Sequence, residues 1–160
     1  MQPLETLAAE VQQLIIDEWT KQGHHLTGAF EKAMYYEIEQ GESITIKFYD
    51  GTERGYGAIL NRGVPAERIP FYPGSGRKYS KYIAGLARYA KLRMGASDKD
   101  ALSIAFAIAY KHKAEGMPTR DSSRYSSTGK RTEFVQDSTK DIDQVVEKYM
   151  KQIIVEKLWQ

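Results

Sequence analysis

The sequence contains no cysteine among its 160 residues. Neither disulfide bonds nor a thiolate zinc site can therefore hold the chain together, and a secreted disulfide scaffold is excluded. No apolar stretch approaches the roughly 18 residues of a membrane span, and residues 1–10 lack the basic region and apolar run of a signal peptide. We therefore expect a soluble protein that is made inside the cell and has no contact with membranes.

The sequence also lacks the motifs of common enzymes and metal sites. There is no G-x-S-x-G nucleophile motif, and the GSGRK sequence at residues 74–78 lacks the preceding strand and the spacing of a phosphate-binding loop. His24 and His25 are adjacent, so their side chains diverge and no further ligand completes a metal site. We interpret them as a solvated pair and His112 as a surface residue. We predict no catalytic residue, cofactor or metal, and no enzymatic activity.

The periodicity of apolar residues predicts the first half of the fold. Helical spacing indicates an amphipathic helix over residues 3–22 that Gly23 ends, with its acidic residues, Glu18 included, on a solvated face. Residues 27–38 predict a turn, with or without a short helix, leading into a strand. Residues 44–48 alternate between apolar and polar side chains, which is typical of a half-buried strand.

The second half is predicted to be helical, with one undecided element before it. Residues 56–62 fit either a short helix or a strand. Ser80, Ser97 and Ser138 are each predicted to cap a helix, and Gly95 and Gly116 to end the first two of these. With 41% hydrophobic and 28% charged residues, the chain resembles one globular domain. We predict a single α+β domain over residues 1–160, with an N-terminal helix, a small antiparallel sheet, two central helices and a long C-terminal helix.

Two long segments, residues 64–79 and 117–133, show neither helical nor strand periodicity. Compact domains seldom keep loops longer than about 12 to 15 residues unless these have a function. Their Pro, Gly, Arg and Tyr content predicts extended arms that build no core of their own and dock on a neighbouring molecule. Residues 121–132 are predicted to be mobile in the isolated protein. The predicted contact residues are Pro70, Tyr72, Arg77, Lys78, Met117, Arg120, Arg124, Tyr125, Lys130 and Arg131.

The charges are unevenly distributed along the chain. Residues 1–50 hold 3 basic and 9 acidic residues, whereas residues 77–131 hold 13 basic and 4 acidic residues. The acidic part of one copy could meet the basic part of the next. Alternatively, the basic tract binds nucleic acid, or it is a solvated face beside half-buried tyrosines. The candidate DNA contacts are Lys81, Arg88, Lys91 and Arg93.

The order of these elements resembles the tail-completion or head-tail joining proteins of tailed bacteriophages. The resemblance is carried by the first amphipathic helix, by the TGAF sequence at residues 27–30, by the strand at 44–48, by YGAILNRG at 56–63 and by AFAIAYKHKAEGMPT at 105–119. In that family the segment matching residues 56–63 closes the small sheet. Phe134 stands where the family has an aromatic residue ahead of its C-terminal helix.

The resemblance implies a mixed α+β fold without enzymatic activity, located in the virion and made in the bacterial host cytoplasm. It implies a homo-oligomeric ring in contact with phage portal, connector or tail proteins, with possible contact to genomic DNA. Two alternatives remain open from the sequence. One is a nucleic-acid-binding protein that uses residues 77–93 and 120–131, and the other is a monomeric adaptor.

Overall fold

The structure is a computed structural model that describes residues 2–75 and 80–158. Its fold class is α+β, as predicted. The helices and strands, in chain order, are α1 (Gln2–Lys21), α2 (Ala29–Ala33), β1 (Met34–Gln40), β2 (Ile44–Asp50), α3 (Tyr56–Arg62), α4 (Lys81–Met94), α5 (Asp98–Glu115) and α6 (Phe134–Leu158), with short 3₁₀ helices at Ala66–Arg68 and Arg120–Tyr125.

The chain divides into two compact units. Unit 1 comprises Met1–Asn61 and Tyr125–Gln160, and unit 2 comprises Arg62–Arg124. The predicted organisation as a single domain stays a prediction, and each unit is described by itself below.

Unit 1 is built on the pairing of α1 with α6 and of α1 with a β-hairpin. Strands β1 and β2 are antiparallel, with Tyr36 opposite Phe48 and Ile38 opposite Ile46. These residues turn toward the helices because alternate side chains of a strand share one face. The core consists of Leu7, Val11, Ile15 and Trp19 of α1 together with Phe30, Met34, Phe134 and Tyr149.

An aromatic cluster closes one end of this core. The Trp19 and Phe30 rings stack with centroids 4.1 Å apart, and Phe134 meets Trp19 edge-on at 5.2 Å. Offset stacking and edge-to-face contacts are the arrangements that aromatic quadrupoles favour. The cluster joins residues from α1, α2 and α6 and thereby fixes the end of α1 against the beginning of α6.

Unit 2 is a helix pair covered by part of the first long segment. Ala105 and Ala109 of α5 are fully buried, and these small side chains let α4 approach closely through Ile83 and Ala90. Ser80 and Ser97 cap α4 and α5 by accepting hydrogen bonds from Ile83 N and Asp100 N, as predicted.

The first long segment does not behave as an arm without a core. Ile69 and Phe71 are 2% and 7% exposed and belong to the core of unit 2. Val64 and Met117 exchange backbone hydrogen bonds in an antiparallel bridge, with N···O distances of 2.6 and 2.8 Å. The prediction that residues 64–79 build no core was therefore wrong for the part of the segment before residue 72. The side chains of Ile69 and Phe71 from this part are buried in the core of unit 2.

The second long segment is attached to the end of α1. Ser127 N and Ser127 Oγ donate to Lys21 O at 2.8 and 3.0 Å, and an Arg131 guanidinium nitrogen donates to Gly23 O at 3.2 Å. The carbonyl groups at a helix C-terminus have no partner within the helix, so these donors satisfy them. These hydrogen bonds join residues 127 and 131 of the segment to the end of α1, and the mobility expected for residues 121–132 stays a prediction.

Helix α6 begins at Phe134, and Ser138 is not its cap as predicted. Ser138 is 3% exposed, and its hydroxyl donates to Val135 O at 2.8 Å inside the first turn. The segment at residues 56–62 is helix α3, so in this chain it does not close the sheet, which has two strands among the described residues.

Candidate interaction surfaces

The predicted contact residues of the first segment alternate with buried ones. Pro70 is exposed and Tyr72 is 66% exposed, whereas Ile69 and Phe71 are buried. Lys113 Nζ lies 5.2 Å from the centre of the Tyr72 ring and donates to Ile69 O at 3.2 Å. Pro70 and Tyr72 thus face solvent, while the buried side chains of Ile69 and Phe71 hold the backbone between them in place. Arg77 and Lys78 lie outside the described residues.

The predicted contacts of the second segment differ in their exposure to solvent. Arg120, Arg124 and Tyr125 are exposed, while Met117 is half-buried against the core of unit 2. Lys130 Nζ lies 2.7 Å from a carboxylate oxygen of Asp137, which raises the pKa of the lysine.

Lys130 also lies 2.9 Å from Glu133 Oε2, and Arg131 holds Gly23 O. Lys130 and Arg131 therefore fasten the segment to its own chain.

Helix α4 presents a basic face opposite its buried face. Lys81 and Arg88 are seven residues apart and so lie on one side of the helix, directly away from Ile83 and Ala90. Within the described part of the chain neither has an ionic partner. Lys91 is exposed beside them but lies 2.6 Å from Asp98, whose carboxyl pKa it lowers.

Arg93 is exposed on a different side of α4. The structure thus brings Lys81, Arg88 and Lys91 together and separates Arg93 from them. Because α4 contains no acidic residue, the face formed by Lys81 and Arg88 carries no opposite charge from its own helix. Tyr82 and Tyr89 are half-buried on this helix, which fits the alternative of core tyrosines beside a solvated basic face.

The outer face of the hairpin is an exposed surface that the sequence analysis missed. Tyr35 of β1 and Tyr49 of β2 are opposite each other and stack with ring centroids 5.0 Å apart. Tyr35 is 47% exposed. Burial raises the pKa of Tyr49, and the hydrogen bond that its hydroxyl donates to Glu37 acts in the same direction. Lys47 Nζ lies 2.6 Å from Glu39 Oε1. The alternation of residues 34–40 was the signal for this face.

A second missed surface is an apolar stripe on the C-terminal half of α6. Val146, Met150 and Ile154 are four residues apart and are 36%, 41% and 51% exposed. They lie beside the stripe that packs on α1 through Val145 and Tyr149. Both stripes are visible in the sequence as apolar residues at helical spacing.

The charges separate by compact unit. Unit 1 carries 10 basic and 16 acidic residues, a formal net charge of −6, and unit 2 carries 13 basic and 5 acidic residues, a net charge of +8. The near-neutral total of +2 is therefore the sum of two strongly and oppositely charged units. Fields of this size steer association and set the orientation in which two molecules meet.

The histidines are placed differently from the predictions. His24 is 9% exposed between the Trp19 and Phe134 rings, at centroid distances of 4.7 and 6.1 Å. Burial lowers its pKa to about 4, and the nearby positive charge of Arg131 acts in the same direction. Only His25 is solvent-exposed, and its Nδ1 lies 2.6 Å from Glu31 Oε1. The prediction of a solvated pair was wrong for His24.

His112 is half-buried rather than on the surface. Its Nδ1 lies 2.7 Å from the Tyr82 hydroxyl. Burial lowers the pKa of His112 and raises the pKa of Tyr82 to about 12. A neutral pair of this kind joins α4 to α5. Glu18, predicted on a solvated face, is also buried, because Gln22 and Lys21 lie against its carboxylate.

Over residues 2–75 and 80–158, no group of three or more histidine or acidic side chains is arranged to hold a metal ion. None of the helices in this described part is both long and apolar enough to cross a membrane. Comparisons with protein-family models, with curated proteins and with solved structures found no match to this chain. The surfaces above are therefore the basis for a functional proposal.

Proposed function

We propose that this chain is a non-enzymatic structural protein of a tailed-phage virion, made in the bacterial host cytoplasm, that forms a ring at the head-tail junction. The observation that carries the proposal is the separation of charge between the units, −6 on unit 1 and +8 on unit 2. The similarity of the sequence to tail-completion proteins supports the phage setting.

Separated charges favour head-to-tail contact. Two copies in the same orientation repel each other through like-charged units, whereas unit 1 of one copy attracts unit 2 of the next. A contact between different surfaces leaves one surface of each type free on every growing chain, so that subunits continue to add until a ring closes. A two-fold dimer in which unit 1 of each copy meets unit 2 of the other would also pair opposite charges, but it leaves no surface for further growth, so the solution mass separates it from the ring.

The exposed apolar residues supply area for contacts with the other virion proteins. The stripe of Val146, Met150 and Ile154 on α6 and the exposed Tyr72 of the first segment are large side chains in solvent. Tyrosine and methionine are enriched at the centres of protein interfaces. Portal, connector or tail proteins are the partners proposed for these positions.

The test is the solution mass of the purified protein, measured by light scattering across concentration at about 50 mM and about 1 M salt. The proposal predicts a closed oligomer at low salt that dissociates at high salt, because the Debye length falls to about 3 Å at 1 M. A monomer at every low-salt concentration contradicts self-assembly of the chain alone.

A second candidate function, nucleic-acid binding, is favoured by one observation. The exposed Lys81 and Arg88 on an acid-free helix have the arrangement of phosphate contacts. This candidate predicts DNA affinity that falls steeply with salt. Replacing Arg88, Lys91 and Arg93 with alanine should then weaken binding, and unchanged affinity would exclude it.

A further inference from the structure

We infer that the outer face of the β1–β2 hairpin in one copy binds the basic face of α4 in the next copy of the same chain. This inference rests on the proposed ring assembly and specifies its interface. The hairpin face is defined by Tyr35, Glu37, Glu39, Lys47 and Tyr49. The α4 face is defined by Lys81, Arg88 and Lys91.

Charge complementarity selects these two surfaces. The hairpin at residues 34–50 contains four acidic residues and one basic residue, and α4 contains four basic residues and no acid. On the hairpin, Lys47 is paired with Glu39, and Asp50 accepts hydrogen bonds from Thr52 and Gly57. Within the part of the chain that the structure describes, the hairpin acids without an ion pair are therefore Glu37, opposite Lys47 on the outer face, and Glu42 at the turn. On α4, Lys81 and Arg88 are the bases without an ionic partner among the described residues. Each surface thus keeps the charge that the other lacks.

The chemistry of the side chains agrees with the charge. The stacked pair of Tyr35 and Tyr49 presents aromatic surface beside Glu37. A guanidinium group stacks on such a ring while it donates to a neighbouring carboxylate, and Arg88 is the exposed arginine of the α4 face. Tyrosine and arginine are the residue types that most often provide binding energy at protein interfaces.

The geometry of the hairpin also leaves this face available. The inner face packs on the core of unit 1 through Ile46 and Phe48. The outer side chains Tyr35, Glu37 and Glu39 are exposed. A two-stranded sheet is marginally stable on its own, so a second covered face would add to its stability in the assembly.

The test uses two charge-reversed variants of the full chain. In the first, Glu37→Lys and Glu42→Lys make the hairpin basic, and in the second, Lys81→Glu and Arg88→Glu make the α4 face acidic. Each variant alone presents like charges across the interface and should raise the concentration needed for assembly by about tenfold or more. An equimolar mixture should assemble again, because each variant has the charge that complements the other.

Matched controls change the net charge equally at other exposed positions. Asp141→Lys with Asp143→Lys reverses two acids of α6 in unit 1, and Arg68→Glu with Lys99→Glu reverses two bases of unit 2. Both controls change the net charge of a unit by the same amount as the reversed variants and should weaken assembly less than those variants do. Because Glu37→Lys places a lysine opposite Lys47, a second variant, Glu37→Gln with Glu39→Gln, removes the charge without that repulsion and should also weaken assembly.

Light scattering and circular dichroism then separate the outcomes. The inference about the interface is overturned if the wild type assembles but the reversed variants behave like the controls. It is also overturned if folded reversed variants do not assemble when mixed. In both cases the proposed ring assembly still stands. If the wild type is monomeric under all low-salt conditions, the proposed function fails and this interface fails with it.

Discussion

Asn61 caps helix α6 from a distant part of the sequence. Its Oδ1 accepts a hydrogen bond from Val135 N at 3.0 Å, and its backbone oxygen accepts one from Glu133 N at 2.8 Å. The side-chain nitrogen of Asn61 donates to Gln136 Oε1 at 3.0 Å. One residue at the end of α3 thus satisfies donors in the first turn of a 25-residue helix.

Replacing Asn61 with alanine should lower the stability of unit 1. Loss of an N-cap costs about 1 kcal/mol, which corresponds to a decrease in Tm of about 2 to 4 °C for a chain of this size. Asn61→Asp keeps the acceptor and places a negative charge at the helix N-terminus, so it should recover most of the loss. Thermal unfolding followed by circular dichroism measures both, and equal Tm values for wild type and Asn61→Ala would contradict the role of the cap.

This cap explains why the beginning of α6 could not be predicted from the sequence. Ser138 and Asp141 form a local cap pattern, whereas Phe134 has no local cap residue before it, because Glu133 has a φ of 61° and supplies no cap hydrogen bond from its side chain. Ser80 and Ser97 were predicted correctly because their partners lie three residues away. Local sequence patterns therefore predicted where α4 and α5 begin, whereas the beginning of α6 depends on a contact with the distant Asn61.

His24 should make the stability depend on pH. Its pKa is about 4 in the folded protein and about 6.5 when the chain is unfolded, so the unfolded state takes up the proton first as the pH falls. The free energy of unfolding should decrease as the pH falls through 6.5 and level off below about 4, with a loss near 2 kcal/mol between about pH 7.5 and pH 5.

The control for this prediction is His24→Phe, which keeps a ring between Trp19 and Phe134. Denaturant unfolding of both proteins at pH 7.5 and pH 5 measures the difference, since the variant should lose less stability than the wild type over this interval. Parallel losses in the two proteins would show that carboxyl groups, and not His24, cause the pH dependence.

Gly23 should tolerate no side chain, because the second long segment lies against it. An added Cβ would stand 2.2 Å from Tyr125 O, and the residue has a φ of 74°. Gly129 has a φ of 73° and no atom within 4 Å of an added Cβ.

Both alanine variants incur the left-handed backbone penalty of about 1 kcal/mol, but only Gly23→Ala also displaces the segment. Gly23→Ala should therefore speed tryptic cleavage at Arg124, Lys130 and Arg131, and equal cleavage of the two variants would contradict the attachment.

Replacing two other glycines with alanine should change the stability of the protein in opposite directions. Gly85 lies in α4 with open space around an added Cβ, so Gly85→Ala should raise the stability by about 0.5 to 1 kcal/mol through helix propensity. At Gly57, a Cβ would lie 2.4 Å from the buried Phe30 ring and 3.0 Å from Asp50 Oδ2, and overpacking should cost about 1 to 3 kcal/mol. Thermal unfolding of the two variants checks both signs, and a stabilised Gly57→Ala would show that the core relaxes around it.

The interaction surfaces could be predicted only in part from the sequence, because they too depend on contacts between distant residues. The bases of α4 were predicted as candidates because their charge is a property of the sequence alone. The burial of Ile69 and His24 was not predicted, since it depends on Ala109 and Phe134, which lie far along the chain. The exposure of Tyr35 likewise depends on which hairpin face the helices cover. Charge and local periodicity could be predicted from the sequence. Which residues are buried depends on contacts between distant parts of the chain and could be seen only in the structure.

Electron microscopy of the purified protein at low salt is the most direct test of the proposed ring assembly. The account predicts closed rings of uniform diameter, in which every copy contacts two neighbours in the same way. The same sample at about 1 M salt should show dispersed subunits. Symmetric dimers as the largest species would contradict ring assembly, and rings that persist unchanged at high salt would contradict assembly through the oppositely charged units.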